Sequence, residues 1–254
     1  MTRLDLNADV GEIGAESDAR LMPSITSASL AAGFHAGNPS SLRATIRLAK
    51  AHGVAVGAHP SFDDREGFGR RERPITAQEA EDLVVYQIAA VAGVAAVEGV
   101  RLQHVKPHGA LYNMAARDFQ LATAIARALV SVDPSLILFA PVGSELVRAG
   151  RAAGIVVAIE GFADRAYRRD GSLAPRGVAG AMIEGGDAVT ARALRMAIDH
   201  AIEAIDGVDI SIDVDTICLH GDTPGADALA RQVRAALEAA DVLVRPVGEW
   251  LRAR

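Results

Sequence analysis

Residues 103–113 read Gln103-His104-Val105-Lys106-Pro107-His108-Gly109-Ala110-Leu111-Tyr112-Asn113. A strand-like run, Arg101 to Lys106, leads into them and a helical pattern follows. Two imidazoles and an ammonium fall within five positions, 104–108. Pro107 and Gly109 punctuate the stretch and stop regular structure there. A capped turn with core histidines would also accommodate these residues. The decisive observation is recurrence: along the chain, an apolar run ends in titratable residues, and then a helix begins.

Leu4 to Val10 alternates apolar and polar residues as a strand does, and reaches Asn7, Asp9, Gly11 and Glu12. Ile25 to Ala32 leads to His35 between Gly33 and Gly37. A helix capped by Ser40 or Ser41 follows, through about Ala51. Gly53 to Ala58 suits a buried parallel strand and ends at His59. Phe62 to Arg73 is a charged loop containing glycines, with the character of a lid. Thr76 and Glu79 form a capping box for a helix running to about Glu98. Further strands are expected at Leu136 to Ala140, Ile155 to Glu160 and Asp215 to Leu219, with a short one at Val242 to Val244. Helices are expected from Asp118 to Val130, Ser144 to Ala153, Asp187 to about Ile205, and Ala226 to Ala240. Glu249-Trp250-Leu251 reads as a tail that packs back.

Alternating strands and helices imply a parallel sheet with right-handed crossovers. An open doubly wound sheet gathers its functional residues at one crevice. Here they follow nearly every strand, which a barrel would bring to one mouth. No G-x-G-x-x-G and no Walker A motif argues for an open nucleotide-binding sheet. The expected fold is therefore an irregular (β/α) barrel of seven or eight strands, forming a single domain over residues 1–254.

Bulk properties set further bounds. The chain of 254 residues is 50% hydrophobic, with a formal net charge of -6. No basic cluster suggests nucleic acid, and no run of about 18 apolar residues suggests a membrane span. The start has no signal-peptide character, so a cytoplasmic location is expected. The single cysteine, Cys218, lies in an apolar run and reads as a small buried hydrophobe.

Collected, the strand ends offer Asp9, Glu12, His35, His59, Lys106, His108, Asp164, Arg165, His220 and Asp222. Four of the seven histidines are among them. Catalytic roles fall to Asp9, Lys106, His108 and Asp164, with His108 as a proton carrier titrating near its ordinary value of about 6.5. Glu12, Arg165, Arg176 and Asp222 are candidates for binding substrate, the arginines by gripping a carboxylate. Mixed imidazole and carboxylate donors suit a divalent metal ion, with Asp9, His35, His59 and His220 as candidate ligands, or equally a metal-free acid/base set. No nucleophile elbow and no H-E-x-x-H motif is present.

Seven segments resemble the LamB/YcsF family, the A subunits of 5-oxoprolinase, in the family's order. They are Asn7 to Glu12, Gly33 to Gly37, Gly57 to Ser61, Gly67 to Arg71, His104 to Asn113, Phe162 to Tyr167 and Asp215 to Gly225. The resemblance implies a barrel similar to the glycoside hydrolase/deacetylase superfamily. It also implies ATP-dependent opening of 5-oxo-L-proline to L-glutamate, with two partner subunits, B and C. Since the chain carries no recognisable phosphate cradle, ATP would act through the complex. Ala8 and Ala32 stand where the family usually has cysteine, and Asn38 where it often has aspartate beside His35. Two other readings fit the same residues: a stand-alone metal-dependent deacetylase or amidohydrolase, and a non-catalytic substrate-binding subunit.

Overall fold

The structure is a computed structural model that describes residues 2–175, 177–219 and 225–251. The strands are β1 (Arg3–Val10), β2 (Ser27–Ala31), β3 (Ala55–His59), β4 (Leu102–Val105), β5 (Ile137–Pro141), β6 (Val157–Phe162), β7 (Ala201–Glu203), β8 (Asp209–Ser211), β9 (Thr216–Leu219) and β10 (Leu243–Val244). The helices are α1 (Ala15–Leu21), α2 (Pro39–His52), α3 (Ala77–Val97), α4 (Gly109–Ala115), α5 (Phe119–Val132), α6 (Glu145–Ala152), α7 (Gly186–Leu194) and α8 (Ala226–Ala239).

Seven parallel strands close in the order β1-β2-β3-β4-β5-β6-β9, and β9 returns to β1 with Asn7 opposite Cys218. The expected eighth strand exists as β10, but it pairs only with Arg3 and Leu4 at the start of β1. It flanks the ring without joining it.

The apolar core lies between ring and helices. Leu4, Leu6, Ala8 and Val10 of β1 belong to it, with Ile46 of α2, Val84, Ile88 and Val91 of α3, and Ile125 and Leu129 of α5. The alternate residues of β1 point the other way, because side chains on a strand alternate faces. Asp5, Asn7 and Asp9 thus enter the ring. Asp5 accepts hydrogen bonds from Thr26 (2.7 Å), Ser27 (2.6 Å) and Thr216 (2.5 Å). The Asn7 amide donates to Thr216 Oγ1 at 2.8 Å and to Glu160 Oε1 at 3.0 Å. Asp5 and Asn7 are fully buried, so this barrel is filled by a polar stack. Each of those groups is hydrogen-bonded, as burial demands.

Local signals place several elements. Thr76 and Glu79 form the expected capping box of α3. Asp118 caps α5 and Ser144 caps α6. Helix α2 differs: Asn38, not a serine, is its N-cap, accepting from Ser40 N and Ser41 N, while Ser41 Oγ accepts from Asn38 N.

The helix expected from Asp187 to Ile205 is shorter than its pattern suggests. α7 ends at Leu194 and a wider π-type turn runs over Arg195–Asp199. His200 then takes a left-handed φ of 49° and the chain reverses into the β7–β8 hairpin. His200 therefore sits at a helix stop, where it meets Asp213 at 3.1 Å. The C-terminal segment packs back as expected, with Val247 and Leu251 against Ile137, Phe139 and Ala158.

α3 corrects one expectation. Its 21 residues are long and apolar enough to cross a membrane by length and composition. The chain uses it in the outer layer instead: Ala80, Val84, Ile88, Val91 and Ala95 are buried, and it packs on α5 and β3.

Candidate active site

Three strand ends and one loop build the site. β1 presents Asp9 and, two residues beyond its end, Glu12. β3 ends on His59, and the turn after β4 carries Lys106 and His108. The loop after β2 brings His35. All six belong to one connected cluster of contacts, the Asp9–His59–Lys106 group joining the Glu12–His35–His108 group where His59 meets His108 at 2.8 Å.

Lys106 lies at its centre, 3% exposed. Its Nζ is 2.7 Å from Asp9 Oδ1, 2.8 Å from Asn7 Oδ1, 3.0 Å from Glu160 Oε1 and 3.2 Å from Cys218 Sγ. Burial alone would lower the lysine pKa. The Asp9 and Glu160 carboxylates outweigh it and hold the ammonium well above its ordinary value. Asp9 mirrors this: burial raises it, but His59 and Lys106 draw it well below the usual carboxylate range. Tyr112, from α4, donates its hydroxyl to Glu160 Oε2 at 2.5 Å.

Beside this ion pair the three imidazoles pack as rings. His35 and His108 stack with centroids 3.9 Å apart, and His59 stands edge-on to both. Glu12 Oε1 lies 2.8 Å from His35 Nε2, 3.4 Å from His108 Nδ1 and 3.8 Å from His59 Nε2. Burial, together with the neighbouring His59, lowers His35 to about 3 and His108 to about 2. That corrects the expectation of a His108 titrating near its ordinary value. Desolvation among other imidazoles disfavours its charged form.

The charged loop from Phe62 to Arg73 forms one wall. Arg71 Nε donates to Asp64 Oδ1 at 2.9 Å, and Gly69 N donates to Asp64 O at 2.8 Å. Phe68, at a left-handed φ of 53°, turns its carbonyl 2.9 Å from His108 Nε2. Gly69 and Gly109 are required by closeness as well as by φ. A Cβ on Gly109 would stand 2.5 Å from Gly69 O.

A cavity of about 190 Å³ opens onto the site. Asp9, His59, Lys106, His108, Tyr112, Glu160 and Arg165 line it, and Arg70 stands at its wall. Asp164 is buried nearby but does not line it. Arg176, His220 and Asp222 lie outside the described residues. Glu160, Tyr112 and Arg70 fall outside the set of site residues expected from sequence, and Asn7, one of the polar residues at the end of the first strand, has no role in that set. Glu160 carried a signal, since a carboxylate ends an otherwise apolar strand. Asn7 carried one too, sharing a strand face with Asp5 and Asp9.

Asn38 is occupied as a helix cap, and it lines a second cavity together with Glu12. Ala8 belongs to the outer apolar core and Ala32 packs against it. Neither alanine lines the cavity. Cys218 is buried, and burial pushes its thiol well above its ordinary value.

A closed parallel ring with buried, mutually perturbed ionisable groups at the carboxyl ends of its strands has the build of a (β/α)-barrel enzyme. The LamB/YcsF family model matches residues 4–252, and the chain belongs to that family. It is 51% identical to the 5-oxoprolinase A subunit of Methylococcus capsulatus (strain ATCC 33009 / NCIMB 11132 / Bath), over 98% of this chain and 97% of that one. A crystal structure of the lactam utilization protein from Thermus thermophilus superposes with a TM-score of 0.91 at 46% identity, covering 96% of this chain and 99% of that one. A family 4 carbohydrate esterase from Streptomyces lividans shares the fold alone, with a TM-score of 0.54 at 10% identity over 100% of this chain and 97% of that one.

Proposed function

We propose that the chain is the A subunit of an ATP-dependent 5-oxoprolinase, opening the lactam of 5-oxo-L-proline to L-glutamate together with partner subunits B and C in the cytoplasm. The observation that carries this reading is the near-complete, 51% identical match to a 5-oxoprolinase A subunit. The cavity suits a small anionic substrate. Lys106, held cationic, is positioned for the oxyanion that develops when water adds to the lactam carbonyl. Asp9, held ionised beside it, accepts a hydrogen bond from that water. Arg165 lines the same cavity; its Nη2 donates to the Ala174 carbonyl at 2.7 Å, and its guanidinium is the cation we assign to the substrate carboxylate. Tyr112 and Asn7 fix Glu160, which keeps Lys106 in place. ATP enters through the assembled complex.

Reconstitution tests the reading. The chain alone should leave 5-oxoproline and ATP unchanged, and addition of the two partner subunits should release glutamate. Asp9→Asn, nearly isosteric, should lower turnover of the complex by at least about a hundredfold. Thermal unfolding is measured on the same preparations. Near-normal turnover in a folded variant removes Asp9 from the chemistry, and glutamate release by the lone chain refutes the division of labour.

A further inference from the structure

The pair His59 and His108 presents a problem of protons. His59 Nδ1 lies 2.6 Å from the carbonyl of Lys106, and His108 Nε2 lies 2.9 Å from the carbonyl of Phe68. A carbonyl only accepts, so each of these outer nitrogens carries the hydrogen. In neutral rings the inner nitrogens, His59 Nε2 and His108 Nδ1, are then both bare lone pairs. They face one another at 2.8 Å. Two acceptors cannot form a hydrogen bond.

The other atoms at this point make matters worse. Glu12 Oε1 approaches both nitrogens, at 3.8 and 3.4 Å, and Asp9 Oδ2 lies 3.3 Å from His59 Nε2. Lone pairs converge here from three directions, and burial removes the water that could otherwise separate them. Something positive must lie among them.

The geometry points to a divalent metal ion of the zinc type bound by Glu12, His35, His59 and His108. One donor atom from each of the four residues lies within 4.8 Å of all the others. Zinc–nitrogen bonds of about 2.0–2.1 Å put neighbouring ligand atoms about 3.4 Å apart in a tetrahedron. Four of the six donor separations, 2.8, 2.8, 3.4 and 3.8 Å, bracket that spacing. Three imidazoles and one carboxylate are the donors such an ion prefers. The carbonyls of Lys106 and Phe68 do what partners behind metal-bound histidines do: they fix the tautomer and aim the lone pair inward. When bound, the ion supplies Lewis acidity at the cavity that His59 and His108 line. This set differs from the one expected from sequence in holding Glu12 and His108 and in leaving out Asp9, which bridges Lys106 through Oδ1 and His59 through Oδ2.

The assignment stands apart from the lactam reading, because occupancy is measured without turnover. Tag-free chain is stripped with a chelator and titrated with zinc by calorimetry. Cobalt is added in parallel as a spectroscopic probe. The expected result is one ion per chain, a raised melting temperature, and the visible absorption of tetrahedral cobalt. His108→Ala should lose both signals. Glu12→Gln, nearly isosteric and so able to keep the fold, should weaken zinc binding at least about tenfold. A stripped wild-type chain that shows no heat, no thermal shift and no cobalt spectrum overturns the site, leaving a proton shared between His59 and His108. Zinc bound equally well by both variants overturns it as well, by placing the ion elsewhere.

Discussion

Asp5 is a carboxylic acid with no access to water. Three hydroxyls donate to it, yet burial still raises its pKa from 3.8 to about 6. The sign of the effect on stability follows from linkage. Between about pH 4 and pH 6 the folded chain keeps a proton that the unfolded chain has released, so Asp5's contribution is complete below pH 4 and is lost as pH rises through about 6. Two pKa units correspond to about 3 kcal/mol. Asp5→Asn removes that titration. The stability of the wild type relative to the variant should therefore fall by about that amount from pH 4 to pH 7, as measured by urea unfolding across the range. Parallel profiles would show that Asp5 is ionised throughout. Lys106 is the opposite case: carboxylates press close enough around it to outweigh burial.

At the scale of elements, caps and close approaches decide where side chains end up. Asn38 shows how a departure from a family pattern is absorbed. An aspartate there caps equally well, since its side-chain oxygen accepts the same two amide hydrogens. It also adds a negative charge at the positive end of the α2 dipole. Asn38→Asp should raise stability by up to about 1 kcal/mol, and Asn38→Ala should lower it by about 1 kcal/mol. Differential scanning calorimetry of both variants checks the pair. A destabilising Asn38→Asp would mean that the added charge reaches the carboxylates of the site. β3 and β4 illustrate close approach. A Cβ on Gly57 would lie 2.2 Å from the His104 ring, which stacks on Phe139 with centroids 4.2 Å apart. Gly57 thus makes room for an imidazole inside the ring, where His104 meets Ser29 at 3.2 Å.

For the whole molecule, closure is what stabilises the polar interior. Thr216 on β9 joins Asp5 and Asn7 on β1, so the last ring strand completes the network of the first. The ring strands should then open only by global unfolding, whereas the β7–β8 hairpin lies outside the ring and opens locally. In native-state hydrogen exchange, amides of β1, β2, β3 and β9 should share one large protection energy. Those of Ala201–Glu203 and Asp209–Ser211 should exchange faster. Equal protection across all of them would make the hairpin part of the same cooperative unit.

The sequence by itself did not show α1 or the β7–β8 hairpin, but it determined the order of the ring strands and of the long helices between them, most of their ends, and the recurrence of titratable residues after apolar runs. Those properties are local: alternation, capping side chains and breakers act within a few residues. It also showed that Asp9, His35, His59, Lys106 and His108 occupy corresponding positions, which is why closure brings them together. Where that local pattern broke down, tertiary structure decided. The alternation in Leu4 to Val10 says one face is polar, but only closure turns that face into a buried interior with partners for Asp5 and Asn7. The periodicity past Leu194 continues as a helix would, yet the chain stops at His200 and pairs Ile202 with Ile210. Which nitrogen of His59 or His108 carries its proton is written nowhere in residues 57–61 or 104–108 alone. It is fixed by carbonyls, one supplied by a loop 40 positions away in the chain. A proton's position depends on distances of a few tenths of an ångström between distant segments, and only the folded barrel sets those.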